Sequence, residues 1–357
     1  MNNGRKLIGY WLILGCVLIF FQVIIGGATR LTGSGLSITE WKPLVGAIPP
    51  LNEAQWKERF AEYRQIVQFK HLNQDMSLSE FKQIFFWEYF HRLWARFMGF
   101  AFVIPFAYFI YKKWIDSALA KRLSVILVWG GIVGLYGWIM VKNGLTGLYV
   151  PPIYLSLHLI LALSLFAYIA WLATDLLNDE TKILFGINPK KSAKNLAFSI
   201  FVLVMVQLIL GGIVSGMKAG LAYPTFPTMN GEWIPGALSS LAPTLSGTLH
   251  YDPSDFWGRT FFQFVHRGVA YTLVVLVIIF VAKAFRLVPQ NLARTAIGLL
   301  PIAVLLQATI GVITVINCVG EVPVSLGVLH QAGAMILLAN VVVVNYIIQK
   351  AKSKKQN

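Results

Sequence analysis

Glu88-Tyr89-Phe90-His91-Arg92 and Gln263-Phe264-Val265-His266-Arg267 are two versions of one segment, each set in a long apolar stretch of the same 357-residue chain. Around them the sequence repeats in order. Gly26-Gly27 precedes the first version and Gly211-Gly212 the second. Val150-Pro151 leads to His158, and Val322-Pro323 leads to His330, seven residues past the proline each time. The histidines are spaced 67 residues in one half (91 to 158) and 64 in the other (266 to 330). Self-similarity at this scale means one architectural unit used twice.

What kind of unit follows from composition. The chain is 57% hydrophobic and 13% charged, about half the charged share of a soluble domain. Stretches of roughly 20 apolar residues cross a bilayer. Eight are predicted, at about 7–27, 84–111, 122–142, 153–176, 195–217, 259–283, 292–316 and 324–349. Seven further spans follow the first, which argues against a cleaved signal peptide. The predicted fold is therefore all-α and membrane-integral: two pseudo-symmetric four-helix bundles, residues 1–180 and 181–357. Four spans return the chain to the same side, so the repeats are related by an axis along the membrane normal.

The net charge of +15 does not indicate a nucleic-acid partner, because the basic residues collect in alternate connections. They are Arg5 and Lys6; Lys112, Lys113, Lys121 and Arg122; Lys182, Lys190, Lys191 and Lys194; Lys283, Arg286 and Arg294; and Lys350, Lys352, Lys354 and Lys355. Positive loops face the cytoplasm, so both termini are expected there, in a cell inner membrane, with anionic lipid as the partner of the charge. The long loops, 28–83 and 218–258, then lie outside. The first contains Trp56, Phe60, Tyr63 and Val67 at helical spacing behind Asn52 as N-cap, an amphipathic helix suited to the membrane surface or to covering a cavity. Ser77-Leu78-Ser79-Glu80 reads as a capping box. The second, rich in Pro, Gly, Ser and Thr, is expected to be irregular. Cys16 and Cys318, the two cysteines, lie at different depths and are left unpaired.

Of six histidines, His71 and His250 fall in the outer loops and read as surface residues. The other four sit on spans running inward, at a common expected depth of roughly 8–10 Å. Ionisable residues inside a span are costly and mark a site. Zinc needs four protein ligands, or three and water, and neither half offers a third His, Cys or Asp in register. Two facing imidazoles and an apolar slot suit a haem. Paired glycines let a flat ring approach the backbone. Arg92 and Arg267 are placed to pair with propionates; the alternative is snorkelling to lipid phosphate. The halves differ at one position. Glu88 shares a helix face with His91, and Gln263 takes its place beside His266. A carboxylate there is a candidate acid or base; an amide only hydrogen-bonds. The competing reading of Glu88 is a structural ion pair with Arg92 or Arg96.

With these features the chain resembles the haem A synthases over its whole length. The resemblance implies oxidation of the C8 methyl of haem O to a formyl group through successive hydroxylations and loss of water. It implies a membrane-bound oxidoreductase of haem biosynthesis that supplies haem A to terminal oxidases. It assigns His91 and His158 to the substrate haem, Glu88 to the reaction, and His266 and His330 to a haem b cofactor that passes electrons. Some members carry a cysteine pair in the first outer loop; this chain resembles the branch without it. Candidate partners beyond haem O are an electron donor of unspecified kind, the haem O synthase and further copies of the chain. The rival reading is a bis-histidine dihaem cytochrome b, linked to quinol, which would need no Glu88. A transporter would cluster its ionisable groups at the midplane, and a prenyltransferase would need Asp-rich magnesium sites.

Overall fold

A computed structural model describes residues 3–40, 46, 48–181, 189–285, 288 and 292–351. Lys182, Arg286, Lys352, Lys354 and Lys355 of the basic connections lie outside the described residues. Within them, eight helices are long and apolar enough to span a bilayer. They are α1 (Asn3–Leu31), α2 (Leu78–Tyr111), α3 (Ser117–Gly144), α4 (Pro152–Thr181), α5 (Lys191–Gly216), α6 (Phe256–Ala284), α7 (Leu292–Ile316) and α8 (Val324–Lys350). In hydrocarbon every backbone donor must be satisfied within its own segment, which is why these sequences are uninterrupted helices.

Several helices run past their apolar stretch. The Ser77–Glu80 capping box forms as read from the sequence and starts α2 well before His91, and α6 opens at Phe256 behind the Asp255 cap. Counting from a helix start therefore misjudges the depth of His91 and His266. His91 stands 13 residues past the start of α2 and His266 10 past that of α6, not seven, while His158 and His330 each stand six past the starts of α4 and α8.

Packing follows the repeat. Each half closes a ring, α1–α2–α3–α4 and α5–α6–α7–α8, and the halves meet through α4 on α5, α8 on α1, and α4 on α8. These four interface helices have 28–39% of their apolar windows buried, against 6–17% for α2, α3, α6 and α7. The outer four turn side chains such as Phe97, Phe100 and Ile104 outward, as a helix apolar all round does when lipid is the solvent. Between halves, close approach depends on small residues. A Cβ at Gly216 would stand 2.6 Å from Pro152 Cα, and one at Gly212 2.8 Å from Ser156 Cα. Arg30 at the end of α1 donates both to the hydroxyl and to the carbonyl of Ser215, its counterpart in the repeat on α5. Gly216→Val is expected to cost about 1–3 kcal/mol by overpacking, read as a lower melting temperature of the detergent-purified protein.

The first outer loop differs from its reading in one respect. The amphipathic helix ends at Tyr63, and Val67 begins a second short helix, Val67–Leu72. The break is held by Tyr63, whose hydroxyl donates to Gln68 Oε1 (3.0 Å) and accepts from Asn73 Nδ2 (2.7 Å). Asn52 caps the first helix through Gln55 N. Trp56 packs edge-on against Phe85, and the Phe60 ring lies tilted by 31° against Phe81, so the helix sits over the N-terminal end of α2. The second outer loop is irregular as expected, with only short turns at Ala219–Leu221, Ala237–Ser240 and Ser246–Leu249. Cys16 and Cys318 are both free thiols.

Candidate functional site

A cavity of about 1500 Å³ opens among the helices and is lined by His91, His158, His266 and His330. It exceeds the roughly 300–1,000 Å³ that encloses a drug-sized molecule. His71 and His250 are exposed and stand apart from it.

In the first half, His91 on α2 faces α1 and His158 on α4 faces α3. The imidazole of His91 lies over Gly26, where a Cβ would stand 2.8 Å from its Cε1. Gln22, one turn earlier on α1, donates from Nε2 to the His91 carbonyl (3.2 Å) and lies 3.2 Å from its Nδ1. His158 lies over Gly137, with a Cβ-to-Cε1 approach of 3.1 Å. The Tyr136 ring lies nearly parallel to it, 13° between planes at 6.4 Å, and its Nδ1 is buried without a hydrogen-bond partner.

The second half repeats this. His266 on α6 lies over Gly211 of α5 and His330 on α8 over Gly311 of α7, with corresponding approaches of 3.3 and 2.8 Å. Gln207 Nε2 donates to the His266 carbonyl at 3.0 Å and Gln307 Nε2 to the His330 carbonyl at 2.9 Å. Each imidazole therefore occupies a cradle that a side chain would fill.

These residues fit a haem. The imidazoles point from opposite walls into a mainly apolar space. Nδ1 of His158 and of His266 has no partner, which is costly for a buried polar atom unless another group satisfies the ring. A bis-imidazole iron site would use this donor set and this space.

The sequence asymmetry becomes a difference in wiring. Glu88 is 3% exposed and accepts from Ser37 Oγ (2.8 Å), Ile38 N (2.8 Å) and Arg92 (2.5 Å). Three donors fill three of the roughly four acceptor positions of an ionised carboxylate. The ion pair with Arg92 considered from sequence is thus present, and the same carboxylate lines the cavity. Gln263 donates to the Tyr223 carbonyl at 3.0 Å, and its Oε1 has no partner. Arg92 also donates to the carbonyls of Ile38 (2.9 Å) and Glu40 (3.1 Å). Arg267 donates to those of Tyr223 (3.0 Å) and Thr228 (3.3 Å). Both guanidiniums border the cavity, held there by the outer loops and not turned toward lipid.

Residues 9–342 match the COX15-CtaA family model, described as cytochrome oxidase assembly protein. This chain belongs to that family. Among its relatives in the family, Heme A synthase of Nitrosospira multiformis is 42% identical over 356 residues, covering 97% of this chain and 94% of that protein. Heme A synthase of Nitrosomonas eutropha is 40% identical over 337 residues, covering 92% and 90%. That of Parvibaculum lavamentivorans is 41% identical over 338 residues, covering 94% and 92%. The similarity to COX15-CtaA proteins thus spans both halves and every histidine of the cavity.

Some of the site was missed from sequence. Gln22, Gln207 and Gln307, and the cradles at Gly137 and Gly311, were not singled out. A signal existed: Gln-x-x-x-Gly occurs at 22–26, 207–211 and 307–311, but its meaning depends on which histidine each helix faces. Ser37 and Ile38, which hold Glu88, carry no sequence signal of that role.

Proposed function

We propose that this chain is a haem A synthase. It is a multi-pass membrane oxidoreductase that converts haem O to haem A, the C8 methyl becoming a formyl group. Haem O lies in the first bundle, residues 1–180, between His91 and His158. The second, residues 181–357, would hold a haem b through His266 and His330. The observation that carries this division is a pair of matched histidine–glycine cradles of which only one has a carboxylate beside it.

When bound, the haem b supplies one-electron carriage. The rest is done by the chain. Gly26 and Gly137 make room for the imidazoles of His91 and His158 against α1 and α3. His91 and His158 fix its iron from the two sides, which orients the ring edge. Glu88, already holding three donors, keeps one acceptor position for a proton or a developing positive charge at the substrate edge. Arg92 neutralises that carboxylate and stays close enough to the outer rim to meet a propionate. Gln263 has no ionisable proton, in keeping with a half that holds a cofactor and does no proton chemistry. The apolar lining of the cavity excludes water.

Pigment extracted from the purified protein is expected to contain haem b together with haem O or haem A, identified by chromatography and mass. Haem b alone, from cells that make haem O, would remove the substrate site. The chain is placed in the inner membrane of the cell with both termini cytoplasmic, supported by the basic connections at one end of the bundle. Reporter fusions at residues 60 and 240 are expected to score as external. A cytoplasmic score at either would invert the topology and move the cavity mouth to the other face.

A further inference from the structure

Three of the four cradle histidines share a partner that the fourth lacks. Gln22, Gln207 and Gln307 each stand one helical turn before the cradle glycine, and each amide donates to the carbonyl of the facing histidine. Each amide Nε2 also lies 3.1–3.3 Å from a ring nitrogen of that histidine, Nδ1 in His91 and His330 and Nε2 in His266. Partners in the outer shell of a metal-binding histidine fix the orientation of its ring and help to hold it on the metal. Gln22, Gln207 and Gln307 are such partners, each amide nitrogen tied at once to the backbone carbonyl and to the ring. On α3 the corresponding residue is Val133. His158 has no amide at either ring nitrogen or at its carbonyl, whereas His266, whose Nδ1 is likewise without a partner, keeps Gln207 at its Nε2 and its carbonyl; the stacked ring of Tyr136 covers a face of the His158 imidazole without bonding to it.

A second observation concerns space. On α3, Gly130 and Gly134 line the cavity, and an added Cβ at either would meet nothing within 4 Å. The matching positions on α7 are Val304 and Ala308. Room beside the imidazole exists at His158 and is filled at His330.

We propose that His158 is the exchangeable ligand of the first-half haem, the one that yields its coordination position to a small exogenous molecule, and that Gln22, Gln207 and Gln307 are positioning residues that keep the other three in place. This rests on the reading of the first half as a haem site. It gives the two halves different tasks by a means independent of Glu88. One iron has a face that opens, as activation chemistry requires; the other keeps both imidazoles, as electron transfer does.

Carbon monoxide is the probe. Purified protein carrying both haems is reduced with dithionite and titrated with CO, following the Soret band, while extraction counts haem O and haem b. In the wild type only the haem O iron is expected to form the CO adduct. Val133→Gln supplies the missing amide partner and is expected to weaken CO binding by about tenfold or more, the range typical of outer-shell partners. Gln307→Val moves the His158 arrangement to the other half and is expected to make the haem b iron CO-reactive. An unchanged CO isotherm in Val133→Gln at wild-type haem O content overturns the proposal. So does a CO-inert haem b in Gln307→Val, which decides alone should Val133→Gln fail to accumulate. A wild type with haem b but no haem O overturns the site reading itself, and the inference with it; haem O bound but inert to CO overturns the inference only.

Discussion

Haem A formation is expected to fall by about 10²–10⁴-fold, the usual worth of a general acid–base group, when Glu88 is replaced by Gln. The change makes the first half chemically like the second, where Gln263 already occupies the position. It replaces one carboxylate oxygen by an amide NH2, so either Ser37 and Ile38 or Arg92 lose their acceptor, but keeps the volume of the side chain, so the cradle of His91 over Gly26 survives. Haem b should stay bound, because His266 and His330 belong to the other ring of helices. The measurement is the content of haem A, haem O and haem b in membranes at equal protein level. Wild-type haem A from this variant would leave Glu88 as the ion-pair partner of Arg92 and nothing more, and would favour the electron-carrying reading. Gln263→Glu is expected to affect chemistry much less. Its cost is a buried charge facing the Tyr223 carbonyl, which already receives Arg267, and that cost appears as weaker haem b retention.

The second large effect is on the spectrum. The purified protein is expected to show low-spin bis-histidine haem, and His266→Ala or His330→Ala to remove the b-type component. Either change deletes one of two axial nitrogens and leaves an apolar wall behind it. Neither Gln207 nor Gln307 can substitute, since an amide is a poor iron ligand and each is tied to a backbone carbonyl. The same replacements at His91 or His158 should strip haem O and spare haem b. Persistence of the low-spin b spectrum in both second-half variants would show that other residues hold it.

What could be read without coordinates was what depends on solvent and on repetition. Long apolar stretches leave helices as the only economical structure in hydrocarbon, so eight spans were countable from residue types. Two copies of one segment placed four histidines in two matched pairs. Glu88 against Gln263 declared the asymmetry, because a carboxylate and an amide differ in charge wherever they sit. The capping box at Ser77 and the cap at Asn52 are local hydrogen bonds, legible for that reason.

Tertiary structure decided everything that depends on which helix faces which. Gly26, Gly137, Gly211 and Gly311 become cradles only when α1, α3, α5 and α7 stand opposite the helices bearing the histidines. The helix that Val67 was expected to continue broke at Tyr63, because hydrogen bonds to Gln68 and Asn73 outweigh the apolar spacing. Glu88 acquired two of its three donors, Ser37 and Ile38, from a loop some fifty residues earlier in the chain, the third being Arg92 one turn on in its own helix. The difference between Val133 and its glutamine counterparts is present in the sequence, one residue among 357. It gained meaning when packing set it beside an imidazole whose Nδ1 had nothing else to bind.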